Sequence, residues 1–322
     1  MKATAEAPAN IAFIKYWGNA DANLRLPHHN TISMNLSGAK TTTTVEFVSS
    51  LDADEVFLGG SKVDGTGAER VSKVLDHIRK ISGNKQRARV TTHNSFPTAA
   101  GIASSASGFA ALAVAAASAA GLSLTEQELS TVARLGSGSA TRSIPDGFVE
   151  WHAGSSHETS FAESLYAPEY WDIVDIITVV DADQKKVSST LGHSLADTSL
   201  LYPARLASMK EKVESVKRAL AEKDFPRFGE LIEEESLNLH AIMMTSRPSV
   251  LYWSPATVRV LQALREWRQE GLLAYSTMDA GANVHVITRG EDETAVTQRL
   301  QALKGVEKTI LGKPAAGAHL VK

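Results

Sequence analysis

Segment 97–108 is a run of small residues that leads directly into an alanine-rich stretch, and it constrains the fold more than any other segment. It reads Pro-Thr-Ala-Ala-Gly-Ile-Ala-Ser-Ser-Ala-Ser-Gly, and the alanine-rich stretch continues to about Ala120. Such a loop can turn several backbone N–H groups toward one point, where the positive end of the following helix dipole attracts an anion. We therefore predict a phosphate-binding loop, the alternative being a tight turn that allows close helix packing.

The composition is that of a soluble globular chain, and it excludes several kinds of site. The 322 residues suffice for two domains, with 43% hydrophobic and 21% charged residues. A net charge of -3 does not favour nucleic acid, and the absence of cysteine excludes disulfides and thiolate chemistry. Since no apolar stretch is long enough to span a bilayer, we expect a cytoplasmic protein with no membrane or nucleic-acid partner.

Hydrophobic periodicity predicts an α+β fold with two domains, residues 1–185 and 186–322. Thr125 and Glu128 form a capping-box pattern at the start of one helix. Helices are predicted from the loop to about 120 and at 71–81, 125–136, 206–220, 226–243, 254–271 and 291–304. Strands are predicted at 10–17, 40–48, 87–92, 148–152, 173–180, 272–278 and 284–288.

Four segments resemble the mevalonate diphosphate decarboxylases, a branch of the GHMP small-molecule kinase superfamily. They are residues 9–18, 94–101, 137–143 and 278–281, and they follow the family's order across nearly the whole chain. The resemblance implies a two-domain GHMP-kinase-like fold. Its N-terminal domain would be ribosomal-protein-S5-domain-2-like, its C-terminal domain ferredoxin-like, and the active site would lie between them. The resemblance also implies a homodimer.

The resemblance implies a reaction that consumes ATP with Mg²⁺. ATP phosphorylates the tertiary 3-hydroxyl of a 5-phosphorylated mevalonate, and the new 3-phosphate leaves as the carboxylate is lost. In this family the catalytic aspartate matches Asp279, and an arginine with an asparagine that hold the substrate carboxylate match Arg142 and Asn10. Considered alone, Asp279 is equally a turn aspartate that bonds its own backbone, and Arg142 equally a surface arginine.

Lys15 is the third candidate catalytic residue, because it lies inside an otherwise apolar strand. Burying an unpaired ammonium is costly, so Lys15 is expected to pair with a phosphate or with Asp279. The alternative is a lysine at a strand end that reaches solvent.

The remaining candidate residues divide into a nucleotide set and a substrate set. Ser105 is also a candidate Mg²⁺ ligand, although Ser104 and Ser105 are equally good helix caps. The nucleotide set is Asn94, Pro97, Ala100, Gly101, Ala103, Ser104, Ser105 and Ser107. The substrate set, besides Asn10 and Arg142, is Tyr16, Asn19, His28, His29, Ser137, Ser139, Ser188 and Ser189.

Two cations that bind the 5-diphosphate in the family are replaced in this chain. Asn19 stands where the family has a lysine, and Thr190 stands where it has an arginine; Lys185 and Lys186 nearby are weak compensation. Charge-assisted hydrogen bonds are worth roughly 1.5–3 kcal/mol each, so two losses matter. We therefore predict a pocket for one phosphate, and 5-phosphomevalonate as the substrate.

His28 and His29 are predicted to close this shortened phosphate pocket, the alternative being a solvent-facing loop. Metal binding by the two histidines is excluded, since adjacent side chains of an extended segment point apart and no third ligand is evident.

Three other functions remain open on the sequence. The first is the same reaction on 5-diphosphomevalonate, and the second is a 3-kinase that does not decarboxylate. The third is a non-catalytic nucleotide-binding module, which the retention of Asn10, Lys15, Arg142 and Asp279 disfavours.

Overall fold

The computed structural model of this chain describes residues 1–96, 104–181 and 187–321. The loop residues Pro97, Ala100, Gly101 and Ala103 therefore lie outside the described residues, as do Lys185, Lys186 and the domain change predicted at 185.

The strands of the described residues form two sheets. They are β1 (Lys2–Ile14), β2 (Thr31–Val48), β3 (Glu55–Leu58), β4 (Ser61–Lys62), β5 (Arg87–Asn94), β6 (Phe148–Trp151), β7 (Ala162–Tyr166), β8 (Ile173–Val179), β9 (Ala274–Thr277), β10 (Val284–Arg289), β11 (Lys308–Gly312) and β12 (His319–Leu320).

Long and short helices pack on these sheets. They are α1 (Thr66–Ser82), α2 (Ser104–Ala119), α3 (Glu126–Gly136), α4 (Ser189–Leu195), α5 (Tyr202–Glu222), α6 (Phe225–Thr245), α7 (Pro255–Gln269) and α8 (Glu293–Gln301). A 3₁₀ helix at Gly138–Ser143 follows α3, and shorter 3₁₀ turns lie at Pro168–Tyr170, Ala196–Thr198 and Gly290–Asp292.

The first sheet has the order β12-β1-β2-β5-β3-β4, and β6 and β7 extend it from the other end of β2. Its pairs are antiparallel except β3 with β5, which run parallel because α1 connects them. The alanine-rich helix α2 lies against β1 and β2, and its small side chains allow this close approach. The first domain is therefore α+β, as predicted.

The second sheet has the order β11-β8-β10-β9, and all of its pairs are antiparallel. Numbered along the chain, this is 4-1-3-2, the strand order of a ferredoxin-like domain. Strand β8 precedes residue 185 but belongs to this sheet, so the two sheets divide the chain between β7 and β8. The last strand, β12, returns to the first sheet and pairs with β1.

The predicted elements are present, and their largest error is at the start of β2. The strand begins at Thr31, well before the predicted residue 40. Residues 31–36 are buried without alternation because β1 and β6 flank them, so a two-residue period is absent. The capping box of Thr125 and Glu128 is formed as predicted at the start of α3.

A hydrophobic core joins the two domains, and one buried ion cluster lies beside it. Phe13 of β1 packs edge-on against Phe228 of α6, with ring centroids 4.9 Å apart. Glu235 of α6 is fully buried and accepts hydrogen bonds from Arg205 of α5 and, at 3.3 Å, from the Lys15 backbone N–H. Lys212 Nζ also lies 3.3 Å from Glu235. This cluster therefore ties α5 and α6 to the end of β1.

Replacing Glu235 should destabilise the protein strongly. Glu235→Ala leaves Arg205 and Lys212 buried without their shared carboxylate, a situation that costs about 3–5 kcal/mol. The free energy of unfolding in urea measures this loss. Glu230→Ala on the exposed face of α6 is the matched control and should change the free energy by less than about 0.5 kcal/mol. Equal effects of the two variants would contradict this role of Glu235.

Candidate active site

A cavity of about 210 Å³ lies where the end of β1, the start of α2, the 3₁₀ helix and the turn after β9 meet. It brings together most of the predicted catalytic and substrate residues. Those that line it are Lys15, Tyr16, Ser105, Ser137, Ser139, Arg142, Ser188, Ser189 and Asp279. The residues gathered here therefore come from both domains.

Lys15 and Asp279 form an ion pair in this cavity. Lys15 Nζ lies 2.8 Å from Asp279 Oδ1; Lys15 is 1% exposed, whereas the Asp279 side chain keeps 30% of its surface open. Burial alone would raise the pKa of the Asp279 carboxyl, but Lys15, His285 and Arg142 outweigh it and hold the pKa at about 2. Asp279 is therefore ionised at neutral pH and presents an acceptor to the cavity.

Burial lowers the pKa of the Lys15 ammonium below its usual range, and Asp279 and Glu235 offset part of this effect. The Lys15 backbone is held from behind, because Arg205 donates to its carbonyl oxygen at 2.9 Å. Of the two partners expected for Lys15, a phosphate and Asp279, the structure places Asp279 within ion-pair distance.

The turn that carries Asp279 is fixed on both sides. Ser236 Oγ accepts a hydrogen bond from Met278 N at 2.8 Å, and Gly281 N donates to the Asp279 carbonyl at 2.8 Å. His240 Nε2 lies 3.2 Å from the same carbonyl oxygen, and burial lowers the pKa of His240 to about 4, so its ring is neutral at pH 7. The Asp279 carboxylate is therefore positioned by α6 as well as by Lys15.

Arg142 is a buried cation, and the side chains to which it donates hydrogen bonds are neutral. It is 3% exposed, and it donates to Thr31 Oγ1 at 3.0 Å and to Asn10 Oδ1 at 3.3 Å. Asn10 Nδ2 in turn donates to Ser143 Oγ at 2.8 Å, which fixes the amide orientation. Burial lowers the pKa of Arg142 to about 10, so the guanidinium stays charged at neutral pH and is suited to hold an anion.

Two glycines allow the backbone to close around the site. A Cβ at Gly138 would lie 2.4 Å from Tyr16 Cε1, so only glycine lets the 3₁₀ helix approach this ring. Gly18 has φ +77°, and a Cβ there would lie 1.9 Å from the hydroxyl of Tyr202, which donates to the Trp17 carbonyl.

The two positions that depart from the family pattern carry no charge in the structure. Asn19 Oδ1 accepts a hydrogen bond from the Tyr16 hydroxyl, and Thr190 lines the cavity. Ser188 Oγ caps α4 by accepting from Leu191 N at 3.2 Å, while Ser189 also lines the cavity.

Arg25, Arg70 and His193 also line the cavity and were not predicted from the sequence. Arg25 lies in the turn between Asp21 and Leu26, and Arg70 lies in α1, so neither belongs to a recognisable motif. His193 lies in α4 near the rings of Tyr16 and Trp17, and burial lowers its pKa to about 3. The three residues reach the cavity only through the tertiary packing of α1, α4 and the turn that contains Arg25.

The prediction that His28 and His29 close the substrate pocket is wrong. Both line a different cavity, of about 390 Å³, beside α5. His29 Nδ1 lies 2.8 Å from the Asn30 carbonyl and its Nε2 lies 3.2 Å from Arg205, so it supports the buried ion cluster.

The prediction that Ser107 binds nucleotide is not supported by its geometry either. Ser107 is fully buried, and its hydroxyl lies 2.6 Å from Thr41 Oγ1. Ser107 therefore packs α2 on β2.

A second, largely apolar cavity of about 170 Å³ lies between α1, α2, β3 and β5. Asn94, Ser104 and Ser105 line it together with apolar side chains such as Phe57 and Val63. Arg70 and Ser105 line both cavities, so the two are neighbours. The arrangement suits an aromatic base beside a polar phosphate region.

The oxygen donors near Ser105 fit a magnesium ion that arrives with a nucleotide. Ser105 Oγ lies 3.3 Å from Ser137 Oγ, and hydroxyl oxygens suit this hard cation. Within the described ranges no group of three His, Asp or Glu side chains is placed to hold a metal. Most ligands of such an ion would therefore come from phosphate and water.

No helix in the described ranges has the length and hydropathy that crossing a bilayer requires.

Removing Lys15 should shift the pH dependence of activity. In the unaltered protein Asp279 stays ionised down to about pH 2, so its protonation does not limit activity above about pH 4. In Lys15→Met the Asp279 carboxyl loses its main partner, and burial then raises its pKa. The acid limb of the kcat/KM profile should therefore move to higher pH in this variant. Profiles from pH 4 to 9 check this, with the exposed Lys85→Met as control; an unchanged acid limb in the residual activity of Lys15→Met would contradict it.

Comparisons with known proteins agree with this geometry. Residues 7–162 match the family model of the diphosphomevalonate decarboxylase-like N-terminal domain, and residues 175–314 match that of the mevalonate 5-diphosphate decarboxylase C-terminal domain. The phosphomevalonate decarboxylase of Haloferax volcanii is 37% identical over 314 residues, covering 97% of this chain and 95% of the relative.

Solved structures match over the whole chain. Mevalonate diphosphate decarboxylase from Staphylococcus aureus superposes with a TM-score of 0.95 and 38% identity, covering 100% of this chain and 98% of that one. Two further structures have a TM-score of 0.94, 35% identity and coverage of 100% and 99%. They are the Enterococcus faecalis enzyme, in a study of ATP binding mediated by mevalonate diphosphate, and MDDEF in complex with MVAPP, AMPPCP and magnesium. This chain therefore belongs to the mevalonate diphosphate decarboxylase family of ATP-dependent decarboxylases.

Proposed function

We propose that this protein catalyses the ATP-dependent decarboxylation of 5-phosphomevalonate to isopentenyl phosphate, with release of ADP, phosphate and CO₂. The observation that carries the proposal is the Lys15–Asp279 ion pair, which shares one cavity with a buried Arg142 that has only neutral described partners. An acceptor for a hydroxyl and a cation for a carboxylate are thus placed in the same small space.

In the first step the 3-hydroxyl oxygen attacks the γ-phosphorus of ATP, the bond to the β-phosphate oxygen breaks, and ADP leaves. The hydroxyl proton passes by way of Asp279 to solvent as the new O–P bond completes. Asp279 accepts the hydrogen bond of the attacking hydroxyl and orients it. Its low pKa makes it a weak base, so positioning is its main contribution, as a loose phosphoryl-transfer transition state allows. Lys15 supplies positive charge beside the transferred group.

In the second step the C–O bond to the 3-phosphate breaks, and the electrons of the C–CO₂⁻ bond form the new double bond. The products are an alkene, inorganic phosphate and CO₂. Arg142 would hold the substrate carboxylate with its two N–H groups, and Asn10 fixes the guanidinium. Because a tight hold on the ionised carboxylate opposes its loss, Arg142 should orient this group more than stabilise it.

The apolar cavity between α1 and α2 would receive the adenine, and the start of α2 would receive the phosphates. Magnesium would supply charge neutralisation on the triphosphate, with the Ser105 hydroxyl near it. The loop residues 97–103 are proposed to complete the phosphate site. Cytoplasmic residence and assembly as a homodimer remain predictions.

The choice of the monophosphate is supported by two neutral residues at positions where the family pattern has cations. Thr190 lines the cavity, and Asn19 accepts a hydrogen bond from Tyr16, which also lines it. The alternative is 5-diphosphomevalonate, the substrate named for most relatives of this chain. A 3-kinase without decarboxylation is disfavoured because Arg142 and Asn10 are both in place for a carboxylate.

Asp279→Asn should abolish turnover while nucleotide binding persists. The amide keeps the size of the side chain but loses the charge that pairs with Lys15, and we expect kcat to fall by roughly 100-fold or more. ATP affinity, measured by fluorescence titration, should stay within about threefold. Asp52→Asn, at an exposed position between β2 and β3, is the matched control. Full turnover in Asp279→Asn would exclude the catalytic role of this residue.

Steady-state kinetics on 5-phosphomevalonate and 5-diphosphomevalonate, measured side by side, decide the substrate. We expect kcat/KM to be at least about tenfold higher for the monophosphate, since the loss of two charge-assisted contacts penalises the second phosphate. CO₂ should be released in step with ADP. A clear preference for the diphosphate would establish the alternative substrate, and ADP without CO₂ would establish a kinase.

A further inference from the structure

Arg25 lies in a tight loop that is built to hold it in one place. Asp21 and Leu26 close the loop, with Leu26 N donating to the Asp21 carbonyl at 2.9 Å. Asp21 Oδ1 also accepts from Leu24 N at 2.8 Å, and Lys73 of α1 donates to the Asn23 carbonyl at 2.6 Å. The loop is thus fastened both internally and to α1.

The backbone of Arg25 has φ +53°, in the left-handed region that non-glycine residues seldom adopt. Such a conformation costs free energy and persists where surrounding contacts impose it, which is common at functional sites. Here it brings the half-buried Arg25 side chain into the lining of the 210 Å³ cavity.

Arg25 and Arg70 both donate hydrogen bonds to backbone carbonyls of the last residues of α3. Arg25 Nε donates to the Leu135 carbonyl at 3.3 Å, and Arg70 Nη2 donates to the Gly136 carbonyl at 2.7 Å. Burial and, to a smaller extent, the nearby charge of Arg25 lower the pKa of Arg70 to about 10. Two like charges are therefore held near each other beside Ser137, and within the described ranges neither forms an ion pair with a carboxylate.

The charge of the whole cavity lining is unbalanced. Of its described residues, Lys15, Arg25, Arg70 and Arg142 are cations, and Asp279 is the carboxylate that faces them. Lys15 forms an ion pair with the Asp279 carboxylate, and Arg142 is held by its hydrogen bond to Asn10. Arg25 and Arg70 thus remain as a separate pair of cations.

Arg25 differs from Arg70 in what it can reach. Arg70 lines both the large cavity and the apolar one between α1 and α2, so it stands between the proposed nucleotide and substrate regions. Arg25 lines only the first of these two cavities. A phosphate bound by Arg25 should therefore belong to the substrate and not to ATP.

We propose that Arg25, acting beside Arg70, binds the phosphate of the phosphorylated substrate and replaces the cations that are missing at Asn19 and Thr190. This inference rests on the proposed function for the identity of the substrate. The ligand chemistry it requires is a phosphate monoester dianion, which two guanidinium groups bind through several charge-assisted hydrogen bonds.

The test compares Arg25→Asn with Arg25→Lys, and uses Arg218→Asn as the control. Asparagine tolerates the left-handed backbone and removes the charge, whereas lysine keeps a charge without the planar fork. Arg218 is an exposed arginine of α5 outside both cavities. Equal melting temperatures of variants and parent would show that the fold is intact, and Arg25→Lys provides the test if Arg25→Asn is unstable.

Calorimetry without nucleotide measures the affinity for 5-phosphomevalonate and for unphosphorylated mevalonate. Arg25→Asn should weaken binding of the phosphorylated ligand by roughly 10- to 100-fold, with a smaller loss in Arg25→Lys, and should leave mevalonate binding unchanged. In turnover assays KM for the substrate should rise while KM for ATP and kcat stay within about threefold, as for a contact made equally in ground and transition states.

Three results would overturn the assignment: unchanged affinity for 5-phosphomevalonate in both variants, an equal loss for mevalonate, or a rise of KM for ATP alone. These outcomes are separate from the fate of the proposed function. If the parent protein releases no CO₂ yet binds 5-phosphomevalonate in an Arg25-dependent way, the reaction is wrong and the phosphate site stands. If CO₂ is released and Arg25 is dispensable, the reaction stands and the phosphate site is wrong.

Discussion

The rest of the site depends on the hydrogen bonds that the buried carboxylate of Glu235 makes with both domains. This carboxylate accepts hydrogen bonds from Arg205 of α5 and from the backbone of Lys15 at the end of β1. Removing one partner of such a cluster leaves an uncompensated charge in a low-dielectric interior, so the three elements must stay together. The position of the Lys15 ammonium, and hence of Asp279, follows from this tie between the two domains.

The site itself shows how burial sets the roles of charged groups. Asp279 keeps its charge at any moderate pH because the cations around it outweigh the cost of desolvation. Arg142 keeps its charge although its described partners are neutral, so its environment favours an added anion. A cavity with such a charge excess favours an anion over a neutral molecule, which matches a chemistry of phosphate and carboxylate groups.

The sequence predicted the parts of the site that depend on local motifs and failed where long-range packing decides. The sequence identified Asn10, Lys15, Arg142 and Asp279 because each lies in a short segment that resembles the family pattern. The structure brings Asn10 to Arg142 and Lys15 to Asp279. His29 was misplaced because its contact with Arg205 of α5 depends on how β2 starts, and the first residues of β2 (31–36) lack the alternation that marks a strand. The contribution of Arg25 depends on a left-handed turn that no propensity predicts.

The sequence by itself determined the α+β class, the positions of the longer helices and the family, and it supplied candidates for the reacting groups, since these follow from periodicity, capping and short motifs. Tertiary structure alone decided that β8 joins the second sheet, that Ser107 faces Thr41, and that Arg25 and Arg70 lie together. The physical reason is distance along the chain. Contacts between remote residues depend on how whole sheets and helices pack, and no local pattern records that packing.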